Sequence, residues 1–178
     1  MILQNKQIAT VIAQQDFRDE EYFLPRAIFE AAGFEVKTVS LNRGEAIGAF
    51  GSMVEVDLAL DDVKAADYAA VVFVGGDGME KLMDNRELRK LAKAAVKQDR
   101  VVAAICIGPA VLAKAGVLQG KRATVWASEG DQTAVEILRD NGAQYVPEVV
   151  VIDGNIITAR DVNASRKFGE EIVRILKN

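Results

Sequence analysis

Short apolar runs alternate with amphipathic stretches along the whole chain. Residues 7–13 (QIATVIA) are apolar and β-branched, the pattern of a buried strand. Residues 14–18 are polar and read as a loop. A helix is predicted from Asp19, a suitable N-cap, to a stop at Gly33, with Phe23, Leu24, Ala27, Ile28 and Ala31 facing inward. Its acidic first turn suits the helix dipole, and Pro25 lies early enough to be tolerated. Residues 34–39 alternate as a second strand. Residues 41–62 are broken by Gly44, Gly48 and Gly51, with residues 52–58 reading as a small hairpin or edge strand.

A short helical turn at residues 63–67 precedes a third core strand, residues 68–74, which runs into Gly75-Gly76-Asp77-Gly78. Residues 85–98 form an amphipathic helix with Leu88, Leu91, Ala92 and Ala95 on one face. Residues 101–105 are an unbroken apolar run, followed at once by Cys106. Gly108 and Pro109 then open a helical run that Gly116 closes. Further on come a short strand at 123–126, a helix at 133–140, strands at 149–152 and 156–159 around a hairpin turn, and a closing helix at 163–176. Strands alternating with helices at this spacing predict an α/β fold, a mostly parallel sheet covered on both faces, in one domain over residues 1–178.

Composition narrows the chemistry. The 178 residues are 50% hydrophobic and carry a net charge of −4, with no basic cluster, so no nucleic-acid partner is expected. The N-terminus lacks a secretory pattern, and no apolar stretch approaches the about 20 residues needed to span a bilayer, so no membrane partner is expected. The single cysteine suits a reducing compartment, and a cytoplasmic location is expected. The chain has no histidine. That excludes any Cys-His or Ser-His-Asp mechanism within it, and a transition-metal site would have to be built mainly from carboxylates. No metal or other cofactor is expected.

Cys106 sits on a strand–turn–helix elbow, which lifts a nucleophile to the C-terminal edge of a sheet and puts helix N–H groups beside it to favour thiolate. The competing reading is an inert, packed thiol. Gly75 and Gly76, after a buried strand, can offer N–H groups to an oxyanion beside the N–H of Ile107; they can equally be a tight turn. The spacing is neither a Walker loop nor a dinucleotide fingerprint. Among Asp19, Glu20 and Glu21, one acid can point at Cys106 while the others are solvated. A carboxylate there raises the thiol pKa unless it keeps its own proton, in which case it donates to sulfur. Arg18 and Arg160 are candidates for an anionic group, or surface residues.

The segments FRDEEYFLP, VDLALDDV, VVFVGG, AICIGPAVLAKAGVLQGKRAT and NGAQYVPEVVVIDGNIITAR together resemble the ThiJ/PfpI superfamily, which includes protein deglycases and PfpI-type intracellular proteases. The resemblance implies a flavodoxin-like three-layer sandwich assembled as a homodimer or higher homo-oligomer. It implies catalytic roles for Cys106 and Glu21, and backbone oxyanion roles for Gly75, Gly76 and Ile107. Glu80 matches an acid that protease-like members send into a neighbouring subunit's site. Two departures stand out. Ile107 replaces the histidine of protease-like members, and Trp126 falls near the place of the deglycase branch's histidine. Arg160, Glu80 and Trp126 are therefore accessory candidates only. The expected activity is that of a cysteine-dependent glyoxalase- or deglycase-like enzyme, acting without cofactor on a small reactive carbonyl or a modified protein. The alternatives are a redox-sensing stress protein with an oxidisable Cys106, and a PfpI-like peptidase, which the missing histidine disfavours.

Overall fold

The computed structural model describes residues 6–178. The chain runs β1 (Gln7–Val11), β2 (Gln15–Phe17), α1 (Asp19–Ala31), β3 (Glu35–Ser40), β4 (Gly44–Gly48), β5 (Met53–Val56) and β6 (Leu58–Ala59). Two 3-10 turns lead to β7 (Ala70–Phe73), α2 (Asp77–Leu82), α3 (Arg86–Lys97), β8 (Val101–Ile105) and α4 (Gly108–Lys114). The rest is β9 (Arg122–Ala123), α5 (Thr133–Asp140), β10 (Gln144–Tyr145), β11 (Val150–Asp153), β12 (Ile156–Ala159) and α6 (Ser165–Lys177).

Seven strands form the central sheet in the order β11-β12-β8-β7-β1-β3-β6. All neighbours are parallel except the β11–β12 hairpin. The apolar strand residues alternate between two helical layers, which makes the three-layer sandwich. Ile8, Ala70, Val72, Ala103 and Ile105 face Phe29 of α1 and Phe168 and Ile172 of α6. Val11, Val71, Phe73, Val102 and Ala104 face Leu88 and Leu91 of α3, Leu112 of α4 and Val135 of α5. After β1 the chain builds outward toward β6; from β7 it builds the other way. A crevice therefore opens at the carboxyl ends of β1 and β7, where open α/β sheets bind ligands.

Several expectations need correction. Residues 14–18 are not a plain loop: β2 pairs with β4, and Phe17 is fully buried edge-on against Tyr22 at 5.5 Å. The hairpin region is split. β5 pairs antiparallel with β4, while β6 joins the main sheet beside β3. The inward face of α1 is Tyr22, Pro25 and Phe29, with Phe23 41% exposed. Two of its buried residues, Asp19 and Glu21, are acids, so an apolar periodicity places the face wrongly. Asp19 is the first helical residue rather than the cap. Its carboxylate accepts from the N–H groups of Phe50 (2.9 Å) and Ser52 (3.3 Å), tying the β4–β5 tip to α1. The expected strand at 123–126 is only β9, paired with β10 outside the central sheet. Beyond it the chain turns away so that Trp126 N–H can bond Cys106 O at 2.9 Å. Helix α2 follows the glycine turn without having been anticipated.

Candidate active site

Three segments converge at the crevice: the start of α1, the turn after β7 and the turn after β8. Cys106 has φ +61°, the left-handed region that non-glycine residues rarely enter. Such strain costs on the order of 1–3 kcal/mol and persists only where the surroundings over-determine it. Here the Cys106 N–H donates to Ala159 O (3.0 Å), and its carbonyl accepts from Trp126 N–H. The strained residue is thus held on both sides, directly before Ile107 and α4. The elbow expected from the sequence is present.

Gly75 is where Glu21 and Cys106 meet. A Cβ built on it would lie 2.6 Å from Cys106 Cβ and 2.6 Å from Glu21 Oε2. No side chain fits between them. The Gly75 N–H donates to Glu21 Oε2 at 2.9 Å. It is therefore committed to seating the acid, which corrects the expected oxyanion role. The N–H groups of Gly76 and Ile107 are the ones directed at the sulfur. Gly76, with φ +105°, is pinned against the backbone of Asp16 and Arg18, so its N–H is fixed in place.

Glu21 is 1% exposed, and its Oε1 is buried without a hydrogen-bond partner of ordinary geometry. Burial raises its pKa to about 7, against the opposing pull of the Cys106 thiol, the Gly75 N–H and the Arg18 charge. Burial likewise pushes the Cys106 thiol up, and the Glu21 carboxylate beside it pushes it further, outweighing the N–H groups of Ile107 and Gly76. Against the expectation that helix N–H groups favour thiolate, burial in the first place and the Glu21 carboxylate in the second outweigh them. Two adjacent buried anions cannot both form at neutral pH, so the pair titrates as a unit and retains one proton.

The pair lies at the base of a cleft of about 490 Å³, whose lining includes Arg18, Gly76, Glu80, Ile107, Trp126 and Asp161. Glu80 and Trp126 both line this cleft; the resemblance had matched Glu80 to an acid that serves a neighbouring subunit's site instead. Arg160 does not line it; its guanidinium is ion-paired with Asp161 at 2.9 Å. Arg18 does line it, with its guanidinium over the Phe50 ring at 4.7 Å and paired with Glu20. Asp161 and Asp131 escaped the sequence reading, because nothing in their local patterns points to a shared cleft. Among the described residues, no group of three or more His, Cys, Asp or Glu side chains converges to hold a metal ion. None of the described helices is long and apolar enough to cross a membrane.

Fold and site together define an α/β sandwich protein with a cysteine elbow and a buried acid beside it. The chain belongs to the DJ-1/PfpI family, whose model matches residues 6–175. It is 43% identical over 176 residues to an uncharacterized protein of Methanocaldococcus jannaschii, covering 98% of this chain and 84% of that one. It is 32% identical to a deglycase of Pyrococcus abyssi, covering 94% and 98%. Among solved structures, a ThiJ/PfpI domain protein from Brachyspira murdochii superposes with a TM-score of 0.91 at 35% identity, covering 97% of each chain.

Proposed function

We propose that this chain is a cofactor-independent, cysteine-dependent enzyme acting on small reactive carbonyls, with Cys106 and Glu21 as its catalytic residues. The observation that carries this reading is that Cys106 Cβ and the buried Glu21 carboxyl flank Gly75 with no room for a side chain between them, at the base of an open cleft. The deglycase relatives support it at the level of the family. With one proton shared by the pair, the reactive form places it on Glu21 and the charge on sulfur. The thiolate adds to the carbonyl carbon, forming a C–S bond, and the carbonyl π pair moves to oxygen. The Gly76 and Ile107 N–H groups stabilise that oxyanion. Glu21 then transfers its proton to the oxygen, giving a hemithioacetal, and becomes the carboxylate base for the next step. No histidine is needed, because the acid next to sulfur performs both proton transfers.

Methylglyoxal consumption by the purified protein tests this. Cys106→Ser is expected to abolish turnover, and Glu21→Gln to lower kcat by about 100-fold or more, the scale of a lost general acid–base. Unchanged turnover in Cys106→Ser would remove the proposal.

The same N–H groups favour a second reading. Groups that hold an oxyanion beside sulfur also hold oxygen bonded to sulfur, so Cys106 can act as an oxidisable sensor. Intact mass after mild peroxide measures it: added oxygen confined to Cys106 supports the sensor, and an unchanged mass excludes it.

A further inference from the structure

The cleft is unevenly charged. Besides Glu21 at its base, its wall carries Asp77 and Glu80 from α2, Asp131 ahead of α5, and Asp161. Arg18 is the one basic residue of the wall, and it is already paired with Glu20. Asp161 is likewise paired, with Arg160. No ion pair among the described residues engages Asp77, Glu80 or Asp131. Asp131 has another task, accepting the Thr133 N–H at 2.9 Å just ahead of α5, and that bond holds its pKa below the ordinary carboxylate value. The cleft is a site independently of these acids. The fully buried Glu21 lines it, and its Oε1 lacks a partner.

We propose that Asp77, Glu80 and Asp131 make this cleft select its substrate by charge. Carbonyl compounds that are neutral, or that carry a cationic nitrogen, are admitted to Cys106; those bearing a carboxylate or phosphate are refused. The substrate half of this statement rests on the function proposed above. The three carboxylates are exposed, and like charges along a concave wall still sum to a field over the approach path, one that salt screens. Trp126, lining the same cleft, adds an aromatic face that attracts cations and does nothing for anions. This goes beyond carbonyl chemistry at Cys106, because it fixes which carbonyls reach the thiol and which residues decide.

Charged methanethiosulfonates test it without any turnover. Each transfers its alkylthio group to the thiolate, forming a disulfide and releasing methanesulfinate. Cys106 is the single cysteine of the chain, so every label reports on this site. The rate for the trimethylammonium-ethyl reagent is divided by that for the sulfonatoethyl reagent. The quotient is then normalised to the same ratio for 2-mercaptoethanol. At low salt the normalised ratio is expected to be about tenfold in favour of the cation, and to shrink at high salt, where the Debye length falls to about 3 Å at 1 M. In the triple variant Asp77→Asn, Glu80→Gln, Asp131→Asn it is expected to fall at least about threefold. Asparagine at position 131 retains an oxygen to accept the Thr133 N–H.

A wild-type ratio below about threefold at low salt, or one that neither salt nor the variant reduces, overturns the proposal. If the triple variant does not fold, the salt series on the wild-type protein decides. A parallel comparison of methylglyoxal with glyoxylate separates the two claims. A strong reagent ratio with no carbonyl turnover leaves charge selection standing and removes the proposed function. Turnover of methylglyoxal without a reagent ratio does the reverse.

Discussion

At the scale of single residues, everything turns on the few atoms where Gly75, Glu21 and Cys106 meet. Gly75→Ala would put a methyl group 2.6 Å from Cys106 Cβ, an atom with no flexible side chain behind it. Backbone must shift, which costs about 1–3 kcal/mol and separates the thiol from the acid. Chemical denaturation together with Cys106 alkylation rates will register both effects. Glu21 contributes in the opposite sense. Its pKa rises on folding from the ordinary 4.5 to about 7, so the folded state binds the extra proton between these values. Stability therefore falls as pH rises from about 4.5 through about 7, by at most about 3 kcal/mol, and is flat above. Glu21→Gln removes that slope, and thermal midpoints of the two proteins between pH 5 and 8 will show it as a difference that grows up to about pH 7 and is constant above.

At the scale of elements, what the sequence disclosed depended on whether burial followed hydrophobicity. Helix α3 was legible to the residue: Leu88, Leu91, Ala92 and Ala95 are its buried face, and the Asn85 side chain accepts from the N–H groups of Glu87 and Leu88. The β11–β12 hairpin and the Cys106 elbow were legible for the same reason. Helix α1 was not, because it buries Asp19 and Glu21 and leaves Phe23 outside. β2 was hidden in a polar run because only Phe17 of its three residues enters the core. These misreadings cluster at the site, where side chains serve each other rather than the hydrophobic core. Asp19 makes the point testable. Its carboxylate receives the N–H groups of Phe50 and Ser52, and Ala49 in that same tip lines the cleft. Asp19→Ala is expected to cost about 2 kcal/mol and to speed amide exchange at Phe50 and Ser52 while leaving the central strands protected. The Asp19 pKa lies below its ordinary value. Burial alone would raise it, but the hydrogen bonds from Ser52 and Phe50 prevail. This anchor's contribution is therefore complete above the unfolded carboxylate pKa and is lost as pH falls through the folded one.

At the scale of the whole molecule, the topology places a strained cysteine, a buried acid and fixed N–H groups at one crevice of a sandwich that is otherwise packed on both faces. Residues far apart in sequence, such as Glu21, Gly75, Cys106 and Asp131, share that crevice only because the chain changes winding direction between β1 and β7. Local patterns could supply the elbow, and the family resemblance could supply the acid. The charge of the cleft wall required the folded arrangement. The central claim is that Cys106 and Glu21 are a single proton-sharing unit that replaces the absent histidine. The rate of Cys106 alkylation by iodoacetamide, followed against pH in the wild-type protein and in Glu21→Gln, tests it most directly. The account predicts a wild-type profile that rises with an apparent pKa near 7, where the pair loses its first proton. In Glu21→Gln that inflection is expected to be gone, with the thiol reacting only as pH approaches or exceeds the free-thiol value of about 8.5. Superimposable profiles for the two proteins would contradict it.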